Sequence, residues 1–199
     1  MKTYLGLAAL LALPFLAACS GTQVKRVDTA AVMDVSGKWN DTDSRLTAEE
    51  LVADCLSKPW LSSASGLSMN APTVIVGVVR NESNEHINTG AFVEDLQRSL
   101  INSGKVTFVA TKEERAAVRD ERLDQDTNAS EATKKAHGQE SGADFMLSGS
   151  ISTIEDREGG KSVILYQTDM KLLDMKTNQI SWVGQKKIKK SVKRSGSSF

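Results

Sequence analysis

The 199-residue chain has two histidines, two cysteines, three prolines and 5% aromatic residues, and its 25 Lys and Arg are balanced by 25 Asp and Glu. Each scarcity excludes something. Two His and two Cys cannot close a four-ligand zinc site without carboxylates, so no metal or cofactor is expected. A chain without basic excess or interleaved aromatics is not built as a nucleic-acid binder. Long apolar runs are also missing beyond the first twenty residues, and a spanning helix needs about 20 apolar residues.

The first segment has a positive start at Lys2, an apolar run from Leu5 to Ala18 and small residues before Cys19. That order is a secretory signal, expected over residues 1–18. Leu16-Ala17-Ala18-Cys19 looks like the lipobox of bacterial lipoproteins, in which the Cys takes up acyl chains such as palmitate and becomes the first residue. Each buried CH₂ contributes about 0.8 kcal/mol, so several chains hold a soluble domain at a bilayer without spanning it. With Cys19 lipidated, Cys55 has no partner for a disulfide within the chain and reads as a small buried hydrophobe between Val52 and Leu56.

Residues 19–43 carry little periodic apolar content and are expected to be a linker and lead-in segment, followed by one domain over 44–199. Thr47 with Glu50 three residues later reads as a capping box opening the first helix. TVIVGVVRN, residues 73–81, is β-branched and almost continuously apolar, the pattern of a central strand buried on both faces. Phe92, Val93, Leu96, Leu100 and Ile101 recur at helical spacing up to a stop at Ser103-Gly104. KVTFVA (105–110) is a short strand. Thr111 and Glu114 cap a charged helix to about Asp124, and 130–141 forms another, carrying His137 near its end. Asp144–Ile154, Ser162–Leu173 and Gln179–Lys190 are strands joined by turns at 158–161 and 175–178. This order implies an α/β domain with a mixed sheet flanked by helices.

No catalytic constellation stands out. Gly160-Lys161-Ser162 ends like a phosphate loop, but Glu155 occupies the place of its first Gly, so a hairpin tip is expected. Asp41 and Asp43 alternate as in calcium loops without the required Gly and Glu, which fits a solvated turn or a helix cap. His86 lies beside Glu82 and Glu85 with no second His near it. Loops at the ends of central strands carry binding in α/β sheets, so Arg80, Asn81, Glu82, Glu85 and His86 are the candidate partner contacts. Charge is segregated: after Trp182 there are six basic residues and no acid, whereas Cys19 to Trp182 holds 18 basic and 25 acidic residues. The basic end reads either as a contact for anionic lipid, wall polymer or acidic protein, or as a lysine-protected edge strand.

With the lipobox, the segments VIVGVVRN, LINSGKVTFVA, ESGADFMLSGSIS and DMKTNQISWVGQKKIKK make the chain resemble the LpoB-type penicillin-binding protein activators. The resemblance implies a compact domain like the N-terminal domain of TolB, with no catalytic residue and Trp182 in the core or at a strand edge. It implies a monomeric lipoprotein on the periplasmic face of the outer membrane. Its partner would be a bifunctional penicillin-binding protein, a peptidoglycan synthase, bound through a non-catalytic docking domain. The same strands are similar to curli-secretion lipoproteins, so an oligomeric secretion or pore-accessory role is the alternative. Enteric activators have a long Pro-rich linker, whereas here about 25 residues, at most about 85 Å fully extended, separate Cys19 from Ser44.

Overall fold

A computed structural model describes residues 23–67, 70–130 and 140–193. Cys19, His137, Arg194 and most of the expected 130–141 helix lie outside the described residues. The chain divides after Ala31. Residues 23–31 are exposed throughout, with one turn in which the Asp28 side chain accepts from the Ala30 N–H at 2.9 Å. The second unit, from Val32, holds all the regular structure among the described residues.

Its elements are α1 (Asp41–Leu56), α2 (Pro59–Leu67), β1 (Thr73–Glu82), α3 (Thr89–Asn102), β2 (Thr107–Phe108), α4 (Lys112–Asn128), β3 (Phe145–Glu158), β4 (Lys161–Asp174) and β5 (Ile180–Lys193). They build one mixed sheet in the order β2-β1-β3-β4-β5. β1 is parallel to β2 and β3, and the last three strands are antiparallel. The α/β class and mixed sheet are as the pattern implied.

Among the described residues, one face of the sheet carries the core. Val74, Val76, Val79, Leu147, Ile151, Tyr166, Met170, Leu172 and Trp182 are buried, alternating with half-buried or exposed neighbours as a half-covered sheet requires. Leu51, Val52, Cys55 and Leu56 of α1 and Phe92, Leu96 and Leu100 of α3 belong to the same core cluster. At about 25 cal/mol per Å², this apolar burial is the main drive for the fold. α2, which the periodicity did not announce, adds Trp60, whose ring lies 5.0 Å from that of Phe145.

Three expectations are corrected. The strand at 73–81 is neither central nor buried on both faces. β3 holds the middle, and the β1 ladder slips between Val76 and Val79, which leaves Val78 exposed within an apolar run. The first helix starts six residues before Thr47. Asn40 caps it, accepting from the Asp43 N–H at 3.0 Å while Asp43 accepts from the Asn40 N–H at 3.0 Å, so Asp41 and Asp43 serve a helix end. Thr47 is instead fully buried in mid-helix. The charged helix, α4, runs on to Asn128 and buries no residue.

The turns follow the sequence. Gly159 and Gly160 both take positive φ (54° and 76°), as a tight two-residue hairpin demands, and Asn178 does so at 59° in the next turn. α3 stops at Ser103, with Gly104 at φ 65° behind it.

Candidate docking surface

The loop after β1 carries the five expected contact residues, and the structure divides them. Arg80, Asn81, Glu82 and His86 are exposed. Arg80 Nε donates to Glu82 Oε1 at 3.0 Å, an exposed pair that is worth little. Asn81 shapes the loop: its Oδ1 accepts from the Ser83 N–H at 3.0 Å, and its Nδ2 donates to the Glu85 carbonyl at 2.8 Å. The Asn84 N–H donates to Thr153 Oγ1 at 3.2 Å, which ties the loop to β3.

Glu85 turns inward. Its carboxylate accepts from the Trp39 N–H at 3.4 Å and from the Tyr166 hydroxyl. Tyr166 is fully buried on β4, and its hydroxyl also lies 2.9 Å from the Gly37 carbonyl. Burial first, and then the neighbouring Glu85 carboxylate, push the Tyr166 phenol well above its ordinary value, so it stays protonated as a donor. Glu85 therefore bolts residues 37–39 to the sheet instead of facing a partner.

That strap reaches further than one carboxylate. Trp39 packs edge-on to Phe92 and Tyr166 at centroid distances of 6.2 and 5.5 Å, and aromatic pairs of this kind contribute about 0.5–1.5 kcal/mol beyond their burial. Gly37 approaches β5 so closely that a Cβ there would overlap the Val192 side chain. The stretch expected to be linker up to residue 43 thus enters the core packing from Gly37 onward. Its signal was Trp39, one of three tryptophans in the chain, standing in a polar stretch.

Lys190 on β5 closes the strap. Its Nζ donates to Asp34 Oδ1 at 2.8 Å, Asp43 Oδ2 at 2.6 Å and the Lys38 carbonyl at 3.1 Å, with 9% of the side chain exposed. Burial works against its charge, yet the bonds to Asp34 and Asp43 outweigh it and hold the ammonium above its ordinary value. The same bond from Lys190, with one from Asn40, lowers Asp34. Lys186, four residues back on the same face, pairs with Glu50 of α1. The basic end of the chain is therefore split: Lys186 and Lys190 are structural, whereas Lys187, Lys189 and Lys193 are exposed.

Other singled-out residues fall into the scaffold. Cys55 is buried, and desolvation pushes its thiol up to about 12, which leaves it protonated and unreactive. Trp182 is buried, with its indole N–H donating to Asp54 Oδ2 at 2.9 Å. Gly160-Lys161-Ser162 is the β3–β4 hairpin tip. Among the described residues no helix is long and apolar enough to cross a membrane.

No curated protein matches the chain. Among solved structures, it is similar to the LpoB C-terminal domain from Salmonella enterica at 21% identity, covering 76% of this chain and 99% of that one, with a TM-score of 0.40. It is similar to E. coli LpoB at 14% identity, covering 94% of this chain and 91% of that one, with a TM-score of 0.39. Similarity to the PelC dodecamer of Paraburkholderia phytofirmans is at 14% identity over 63% of this chain and 76% of that one, TM-score 0.30. Residues 43–188 match the family described as peptidoglycan-synthase activator LpoB. The chain belongs to the LpoB family of peptidoglycan-synthase activators.

Proposed function

We propose that this protein is a lipid-anchored activator of a bifunctional penicillin-binding protein. Cys19 carries the lipid, the anchor holds the chain at the periplasmic face of the outer membrane, and the domain binds a non-catalytic docking domain of the synthase as a monomer. The observation that carries this reading is the family match over residues 43–188. The domain performs no chemistry of its own. It acts by differential affinity: it binds the active conformation of the synthase more tightly, and its effect is limited to that difference. Of the loop residues, Arg80, Asn81, Glu82 and His86 are exposed and available as contacts, and Glu85 supports them from behind.

The strap shortens the tether. Because Asp34 is already bonded to Lys190, fewer residues separate Cys19 from the domain than the sequence pattern allowed: either the synthase projects further outward, the wall lies closer, or the domain serves another envelope task.

The test is glycan-strand polymerisation by a purified bifunctional penicillin-binding protein, with and without the full-length protein in detergent. A rise in rate with saturable binding is expected, and no binding to any bifunctional synthase of the same cells would overturn the reading. Cys19→Ala should release the protein from membranes without unfolding it; retention after a high-salt wash would refute the anchor.

One observation favours a second reading. β5 is a fourteen-residue edge strand, and a long edge offers unpaired backbone groups to another chain. In the oligomeric secretion role this edge joins subunits, and sedimentation separates the two: a monomer supports the activator, a stable ring the secretion role.

A further inference from the structure

Strand alternation sorts the lysines of β4 and β5 onto opposite faces. Lys161 and Lys171 of β4 and Lys187, Lys189 and Lys193 of β5 lie on the face turned away from α1 and α3, as their cross-strand partners show: Lys161 opposite Lys193, Lys171 opposite Val183, Lys187 opposite Gln167, Lys189 opposite Leu165. All five are exposed, and none forms an ion pair among the described residues. The acid these two strands place among them is Asp169, and its two oxygens accept from Gln167 Nε2 and Gln185 Nε2 at 2.7 Å each. β3 adds Asp156 and Glu158 at the hairpin end of the same face.

Protection of a sheet edge explains lysines on β5. It does not explain Lys171, because β4 is paired on both sides. Nor is the face purely ionic. Ile154 on β3, 66% exposed, stands opposite Leu165, which stands opposite Lys189, and Val183, 63% exposed, stands beside Lys171. A polyanion would use the charges alone. A bilayer would call for aromatic or leucine side chains at a protruding tip, and the β3–β4 tip is Glu-Gly-Gly-Lys. Apolar side chains between unpaired cations fit an acidic protein surface with apolar contacts of its own.

We infer that the outer face of β4 and β5 is a docking surface for an acidic protein partner. Its chemistry stands on the residues above; the identity of the partner as the synthase docking domain rests on the proposed activator function. The loop from Arg80 to His86 adjoins this face through Arg80, which is paired in register with Ser150 on β3.

The test has two arms, both with the full-length protein. In the first, binding of a purified bifunctional penicillin-binding protein is measured for the wild type, Lys187→Glu/Lys189→Glu and Lys187→Gln/Lys189→Gln, each checked for an unchanged melting temperature. Charge reversal should weaken binding about tenfold or more and neutralisation by less, because close interfacial charge pairs couple strongly. Wild-type affinity should fall as salt rises and the Debye length drops below about 8 Å. Equal binding by all three proteins overturns the inference. In the second arm, a photo-crosslinker replaces Ile154 in cells. An adduct to an acid-rich peptide of an identified protein, lost in Lys187→Glu/Lys189→Glu, supports the surface; if that protein is not a synthase, the activator reading fails and the surface stands. An adduct to lipid or to a second copy of this chain, or no adduct, overturns it.

Discussion

Lys189 and Lys190 are adjacent in the chain and opposite in circumstance. Lys190 points to the covered side of the sheet, where three oxygens of the strap and α1 surround its ammonium. Lys189 points to the open side, where the described residues provide no counter-ion. The period of two along a strand thus separates one run of lysines into a structural set and an available set. A basic tail that looks uniform in composition therefore occupies two different environments, and edge protection alone does not account for both.

The largest break in the covered side should come from Gly149→Ala. A Cβ there would overlap the Asp169 carbonyl and the Met170 sulfur, so the β3–β4 ladder must shift. Overpacking against backbone costs about 3 kcal/mol, and urea denaturation should show it as a lower midpoint at unchanged slope. Lys190→Met compared with Lys189→Met comes next. The first strands Asp43, whose side chain is 8% exposed, and should cost about 2 kcal/mol, less than a fully buried pair would; the second should fall within about 0.5 kcal/mol of wild type. Equal melting temperatures for the two variants would dissolve the distinction between the faces.

Thr47→Val sharpens it from the α1 side. The Thr47 hydroxyl is buried with no hydrogen-bond partner among the described residues, and a methyl of the same shape should stabilise the domain by about 1 kcal/mol. The smallest effect is in pH. Asp34 is held below its ordinary carboxyl value of 3.8 by the Lys190 bond. Its share of strap stability is therefore complete above that value and lost as pH falls through the depressed folded value. Lys190, shifted upward, contributes fully below its ordinary 10.5 and is lost only as pH rises past its folded value. Hydrogen exchange at residues 34–40 should accordingly be slow from neutral pH down to about 4, then quicken in acid before the rest of the sheet opens. Simultaneous opening of strap and sheet would show that they are one cooperative unit.

The part of the fold closest to the sequence is the antiparallel half. Glu158-Gly159-Gly160-Lys161 and Met175–Asn178 are turns whose geometry depends on residues within the turn, and register follows from the turn. The same holds for the end of α3 at Ser103-Gly104. The start of α1 was hidden because two local patterns compete. Thr47 with Glu50 and Asn40 with Asp43 both satisfy the capping rule, and the choice falls to contacts outside the helix: Ser44 Oγ donating to Asp95 Oδ2 at 2.9 Å, and Lys190 on Asp43. β2 shrank to two residues because KVTFVA finds only Thr73 and Val74 of β1 alongside it.

At the candidate surface, the exposure of Arg80, Asn81, Glu82 and His86 agreed with a loop reading, and the inward turn of Glu85 did not. No local rule distinguishes Glu82 from Glu85. The difference is made by Trp39 and Tyr166, which lie 46 and 81 residues away in the chain.

By itself the sequence determined the α/β class, the order of most strands and helices, the hairpin turns and the segregation of charge toward the end, because each follows from periodicity, turn chemistry or composition within a few residues. Which face of the sheet is covered, where the domain begins and which lysines are free were decided only by the tertiary structure. A buried ion pair or hydrogen bond draws its strength from groups that folding brings together across more than a hundred residues, as Lys190 and Asp43 show.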